Sequence, residues 1–402
     1  MPTLRGGIFP RLIAMMPLLF PLYLIRGSAF GFPVTLPEVI LGFSFLYFIY
    51  RERAWETPRI FLVWPVIIFV AAAVLSTVIV PQLSYFVDGT EFHGFAKALG
   101  ILKGWILAPI LYFFMARFYF QEKPSLIETS LRALLLSGTL LSIYALYQVW
   151  TGDFSTPDLR ASGPFESANY LALYLGPIFV YGVLSSIKEE DGFEKILLIF
   201  ATLICGGALF FTKSYASWIA VSVSLLISFL LFLRKQAPHF RLAGIFVILL
   251  VLCAVFYSQA DTEKFKQFFD FTNRSSSGVR VQIYTIAWDL IKQHPFLGIG
   301  LGQFEQVYQT QAVSILGTAP FEWVMLHPHN LYFALWLNTG LLGLASLGYF
   351  IWNAIKWIFE DDSKQRPVAA MMLLVILIHG IFDTPVFKND LAFEFWLLLA
   401  ML

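Results

Sequence analysis

Residues 329–352 read HNLYFALWLNTGLLGLASLGYFIW, a run without a single Asp, Glu, Lys or Arg. A stretch of about 20 apolar residues is what a helix needs to cross the ~30 Å hydrocarbon core of a bilayer. In lipid the backbone has no water to bond, so such a run satisfies its own N–H and C=O groups by coiling into a helix. Comparable runs recur at 8–25, 34–50, 60–80, 95–119, 126–150, 168–187, 195–212, 215–233, 241–258, 368–382 and 391–402. Together they predict an all-α polytopic membrane protein of about twelve spans, folded as one membrane domain over 1–402.

Composition agrees. Of 402 residues, 58% are hydrophobic and only 13% charged, with a mean hydropathy of +0.73. Soluble domains carry roughly 25% charged residues. Half that share cannot solvate a water-facing surface, which excludes soluble enzyme folds, disorder and disulfide scaffolds. A membrane β-barrel is excluded because its strands alternate in polarity. The net charge of +1 offers no field for nucleic acid. Cys205 and Cys253 both lie in apolar runs and read as small lipid-facing or core residues. Arg5, followed by an apolar stretch broken by Arg11 and prolines with no small-residue cleavage site, predicts a retained first span.

The side of each loop follows from its basic residues. Alternate short loops hold Arg51, Arg53, Arg59, Lys123, Lys188, Lys195, Arg234, Lys235, Arg241, Lys356, Lys364 and Arg366 on the side of Arg5. Those on the other side hold only about five, among them Arg26, Arg160 and Lys388. Both termini are therefore expected in the cytoplasm, and segments 151–167, 259–328 and 383–390 outside it. The long polar 259–328 segment, between spans nine and ten, is the expected large loop of the non-cytoplasmic side. It runs from Asp261 through a loose Asn273–Gly278 stretch to an amphipathic helix, with Val281, Tyr284, Ala287, Trp288 and Ile291 on one face. After His294-Pro295, the Gly298–Gly302 stretch reads as a flexible turn. A loop this long in a compact protein is usually functional, and it is expected to cover part of the active site.

Four motifs cluster on that outer side. His329-Asn330 precedes Gly340-Leu-Leu-Gly343 by nine residues; Arg160-Ala-Ser-Gly-Pro-Phe-Glu-Ser-Ala-Asn169 follows the fifth span. Arg280-Val-Gln-Ile-Tyr284 leads into His294-Pro-Phe-Leu-Gly-Ile-Gly300-Leu-Gly302-Gln-Phe304, and His379-Gly-Ile-Phe-Asp383 closes the penultimate span. In order and spacing these resemble the signature of the O-antigen ligase and O-antigen polymerase superfamily, over residues ~150–390. One stretch departs from it: Ser214-Tyr215-Ala216-Ser217-Trp218 has Tyr215 where that family has an arginine, with Lys213 two residues earlier as a substitute charge.

The resemblance implies a GT-C-like glycosyltransferase of the bacterial inner membrane, acting in lipopolysaccharide biosynthesis on the periplasmic face. It moves a glycan from undecaprenyl pyrophosphate to an acceptor hydroxyl, either the lipid A core (ligase) or another glycan (polymerase). The moderate loop favours the ligase. It implies no metal and no cofactor. Such a reaction needs a base for the hydroxyl proton, which a histidine supplies near neutral pH. It also needs cations for the departing diphosphate, and the guanidinium fork matches phosphate oxygens. His329 is the expected base, and Arg160 and Arg280 the diphosphate clamp. Asn169, Asn330, Lys213, Gly300, Gly302 and Asp383 are expected to contact or orient substrate, Asp383 by orienting a basic residue or His329.

Residue types alone leave other readings open. His329 with Asn330 also fits an interfacial helix start, Arg160 a loop anchor, and Gly300 and Gly302 a plain hinge. His327-Pro-His329, near Glu322, is poor spacing for metal ligands. His327 and His294 read as rim residues. Lys97 and Lys103, in span four, reach either a diphosphate or lipid headgroups. Glu128 and Arg132 are four apart and fit an ion pair along one helix. A twelve-span secondary transporter is the competing class, against which stands the concentration of polar residues on one face.

Overall fold

The computed structural model describes residues 7–29, 32–52, 63–84, 91–156, 158–232, 260–271, 274–360 and 366–402, with isolated positions between 246 and 258. The described chain is helical apart from one antiparallel ribbon, β1 (Arg26–Ala29) with β2 (Phe32–Thr35). The helices are α1 (Ile8–Met15, continued by a 3₁₀ turn over Met16–Leu24), α2 (Leu36–Glu52), α3 (Val63–Ser84), α4 (Glu91–Ile101), α5 (Ala108–Glu122), α6 (Ser125–Thr151), α7 (Ala168–Lys188), α8 (Gly192–Phe211) and α9 (Tyr215–Phe232). Beyond them come α10 (Glu263–Phe268), α11 (Ser276–Gln293), α12 (Phe304–Leu316), α13 (Leu331–Glu360), α14 (Arg366–His379) and α15 (Asn389–Met401).

Five described helical stretches are long and apolar enough to cross a membrane: 94–122, 125–151, 168–188, 192–211 and 331–353. Four shorter apolar ones, 8–24, 64–79, 215–231 and 366–379, coincide with expected spans. The expectation of twelve is not reached among the described residues. The 241–258 span lies mostly outside them. The 34–50 span begins as strand β2, and α2 starts only at Leu36. The 391–402 span is α15, buried along its whole described length. A helix covered on all sides is core, not a lipid-facing wall.

Local chemistry marks the boundaries. Ser167 Oγ accepts from the Asn169 N–H to start α7, Asp191 from Glu194 to start α8, and Ser275 from Gly278 to start α11. These side chains replace backbone acceptors that a helix start lacks. The Ser275 cap also ends the expected loose run early, because α11 is already helical at Ser276. Gly152 closes α6 in the left-handed conformation.

α15 packs on α5, α14 on α7 and α9, α6 on α8, and α3 on α13. Hydroxyls knit these contacts: Ser137 Oγ to Tyr174 OH at 2.9 Å, Ser224 Oγ to the Met371 carbonyl at 2.8 Å, and Ser217 Oγ to the Ala172 carbonyl at 3.2 Å. The Arg132–Glu128 pair forms as the spacing requires, at 2.9 Å, and Arg132 also reaches Glu189 and Glu194.

The 259–328 segment carries its own small core, in which Ile283, Ile286, Ala287, Leu290 and Ile291 of α11 meet Phe304, Val307, Tyr308 and Ala312 of α12 and Leu337 of α13. The buried stripe is thus turned from the expected one. Val281 and Trp288 are exposed, whereas Ile283, Ile286 and Leu290 are covered.

Gly298–Gly302 is ordered against α13 rather than a free turn. The Ile299 N–H donates to the Leu337 carbonyl at 2.8 Å, and the Leu341 N–H to the Phe296 carbonyl at 3.0 Å. Gly340 breaks the helix to allow this, at φ 67° and ψ −170°. A Cβ at Gly340 would collide with the Phe296 carbonyl, and one at Gly298 with the Leu337 carbonyl. The two glycine motifs therefore meet as backbone against backbone, which only glycine permits at these angles.

Candidate functional site

His329 sits immediately before α13 in the left-handed region, at φ 46°. Few non-glycine residues adopt this conformation, and held strain of this kind collects at functional sites. Asn330 holds the turn: its Oδ1 accepts from the Tyr332 and Phe333 N–H groups at 3.0 Å, and its Nδ2 donates to the Ile381 carbonyl at 2.9 Å. Tyr284 of α11 clamps the same place, its hydroxyl lying 2.9 Å from the His329 carbonyl and 2.8 Å from the Ile381 carbonyl.

Held this way, His329 places Nδ1 3.3 Å from Asp383 Oδ1. An acceptor-only carboxylate at Nδ1 selects the tautomer with its hydrogen there, which leaves Nε2 free to accept a proton. Asp383 is 1% exposed, and its Oδ1 also accepts the Thr384 N–H at 2.9 Å. Burial alone would raise its carboxyl. The His329 ring and its hydrogen bond outweigh burial and hold it well below the usual carboxylate range.

His327 stacks edge-on against His329, with ring centroids 4.3 Å apart. Burial, followed by the neighbouring His329, lowers its imidazole to about 3, so it is neutral at physiological pH. Its Nε2 lies 3.3 Å from the Tyr170 hydroxyl, and its buried Nδ1 has no partner among the described residues. One ligand atom each from His327, His329 and Asp383 lie within 4.8 Å of one another. The sequence suggested Asp383 as a partner of a histidine or basic residue but not as a third donor beside both histidines, a donor set that suits a divalent transition metal.

The arginines divide. Arg280, half-buried, donates from Nε to the Phe382 carbonyl at 3.3 Å and from Nη1 to the Ser276 carbonyl and Oγ. It therefore borders the turn that carries Asp383. Arg160 is buried, with its Nε on Asp158 and its Nη1 on Asn169 Oδ1 at 3.2 Å and the Thr212 carbonyl at 3.1 Å. That guanidinium ties the 151–167 loop to the start of α7 and the end of α8. Arg160 reaches the histidines only at one remove, since Tyr170, next to Asn169, contacts His327. Lys213 follows Thr212 in a left-handed turn, at φ 49°. Tyr215 packs edge-on against Trp218, Phe265 and Phe268, and so anchors α10.

Beside His327 opens a cavity of about 430 Å³. Arg26, Lys97, Lys103 and Lys388 line it, with Glu38, Glu166, Tyr170 and Gly302. Gly302 donates its N–H to Asn338 Oδ1 at 2.7 Å; Gly300, at φ 103°, is buried in the same turn. Lys97 and Lys103, whose destination the sequence left open, both face this space. The sequence placed Arg26 and Lys388 only among the outer-loop cations and Tyr284 only in a motif and on a helix face; neither these nor Tyr170 was expected in the site. The available signal was Lys388, a lysine placed directly before an apolar helix that carries Asp390 and Glu394.

Residues 200–348 match a family model described as O-antigen ligase, which supports the O-antigen ligase and polymerase superfamily. The matched stretch includes Arg280, His329 and both glycine motifs, and leaves Arg160 and Asp383 outside it. No curated protein matches the chain.

Proposed function

From the O-antigen ligase match and the His329–Asp383 pair, we propose that this chain is a membrane glycosyltransferase that moves a glycan from undecaprenyl pyrophosphate to a hydroxyl of the lipid A core. His329 Nε2 takes the acceptor proton as the hydroxyl attacks the anomeric carbon. Asp383, a positioning residue, fixes the tautomer and balances the imidazolium that forms. Arg280 holds the donor diphosphate from the adjacent turn. Arg160 keeps Asn169 and the start of α7 in register, and the remaining phosphate charge falls to the cations of the cavity. Gly300 and Gly302 bring backbone up to the donor, with Lys213 at the rim and Asn330 shaping the His329 turn. No step passes through a metal or cofactor.

The loop charges counted above support termini in the cytoplasm and a site, with its α10–α12 cover, on the periplasmic side of the inner membrane. One observation carries the chemistry: a strained, half-exposed histidine whose Nδ1 faces a buried carboxylate at 3.3 Å. The test is transfer in detergent with lipid-linked glycan and lipid A core. His329→Ala abolishes transfer and leaves the protein folded; retained transfer overturns the reading. In cells, loss of a ligase leaves lipid-linked polymer, whereas loss of a polymerase leaves single repeat units.

A further inference from the structure

Lys388 precedes α15 and is 8% exposed, yet its Nζ has no hydrogen-bond partner among the described residues. The ammonium lies 3.4 Å from the centroid of the Tyr170 ring, with the Phe165 and Tyr23 rings at 5.3 and 5.4 Å. Three aromatic faces hold a cation in place without neutralising it. Buried ammonium groups pair, bind an anion or lose their proton, because an unpaired buried charge is unfavourable. Asp390, two residues on, acts on the ammonium through its charge but makes no hydrogen bond to it, and its oxygens lack hydrogen-bond partners among the described residues.

Two other cations of this cavity are paired: Lys97 meets Glu305 at 2.9 Å and Lys103 meets Glu38 at 3.2 Å. Arg26 lies over Tyr23 at 5.5 Å but is exposed to solvent, unlike the buried Lys388. The cavity is also lined by a π-helical segment, Leu102–Leu107, through Lys103, Gly104 and Trp105. Such widened turns recur at binding sites. Lys388 thus combines an unmet charge with an open polar space. It also has a short route to the histidines, since the Tyr170 beneath it contacts His327.

We infer that Lys388 binds phosphate: its ammonium, seated on Tyr170, donates to the oxygens of a diphosphate lodged in this cavity. This rests on the diphosphate-donor reading above and adds to it a residue that touches the phosphates as they depart. Burial pulls the ammonium down to about 8, which leaves it charged at neutral pH.

The test titrates inorganic pyrophosphate into the purified full-length protein in detergent by calorimetry. Lys388→Met and Lys388→Gln should weaken binding tenfold or more, while Lys388→Arg stays within threefold. The Met variant should melt at or above the wild-type temperature, because an unpaired buried charge has been removed. Unchanged pyrophosphate affinity in both neutral variants overturns the inference, and so does a wild type that does not bind the probe. Transfer activity in a wild type that ignores pyrophosphate would leave the transferase reading standing without this site. Pyrophosphate binding without transfer activity would do the reverse.

Discussion

Asp383→Asn separates charge from shape at the proposed reaction centre. Asparagine keeps the volume and one oxygen to accept from the Thr384 N–H and the His329 Nδ1, but loses the negative charge. In the resting enzyme little changes, because the pair is ionic only once His329 carries a proton. The charge matters as the acceptor hydroxyl transfers its proton and an imidazolium forms 3.3 Å from Asp383 Oδ1. Coulomb attraction at that separation, with an effective dielectric of about 20, sets a ceiling of ~5 kcal/mol. Hydrogen bonds to charged groups contribute about 1.5–3 kcal/mol when deleted in proteins. At about 1.4 kcal/mol per decade, the expected loss is roughly 10- to 150-fold in kcat. KM should be unchanged, because Asp383 does not touch substrate in this reading. The assay is single-turnover transfer of lipid-linked glycan in detergent, run beside a thermal melt. A kcat within threefold of wild type would refute the role given to Asp383. A fall in kcat matched by a fall in folded protein would reassign it to structure.

Two further outcomes follow from the geometry. Gly340→Ala forces a Cβ into the Phe296 carbonyl at φ 67°. Backbone strain alone destabilises by about 1–3 kcal/mol, so the melting temperature should drop, and an unshifted melt would refute the backbone-on-backbone account of the motif glycines. Transfer should also decline as pH rises through about 8, where burial places the loss of the Lys388 charge. The ammonium is charged below that pH and neutral above it, and Asp390, Glu166, Asp383 and Arg26 are the charged groups acting on it. A diphosphate diester has no ionisation in that range, so Lys388→Arg, which stays charged, should extend activity to higher pH. Coincident alkaline limbs in the two proteins would refute this.

Much of the molecule was legible in one dimension because hydropathy is a local property. A run such as 329–352 has few alternatives to a helix, and motif order alone led to His329, Arg280 and the two glycine turns. Short apolar stretches, and those outside the described residues, blurred the count. Residues 391–402 are as apolar as a span, but being covered on all sides is decided by neighbours and not by composition. The same limit applied to the amphipathic pattern of α11, whose buried face was set by where α12 and Leu337 lie.

Sequence by itself determined that this is a helical membrane protein and which few polar residues mark its special face, since both follow from transferring individual residues into lipid. Only the tertiary structure decided which of those residues meet. It set Asp383 on His329, spread the guanidinium of Arg160 over a loop it anchors, brought Phe296 against Gly340, and left Lys388 unpaired beside a cavity. Asp383 and His329, like Phe296 and Gly340, come from segments far apart in the chain, and their meeting depends on how the helices pack, which no spacing along one segment encodes.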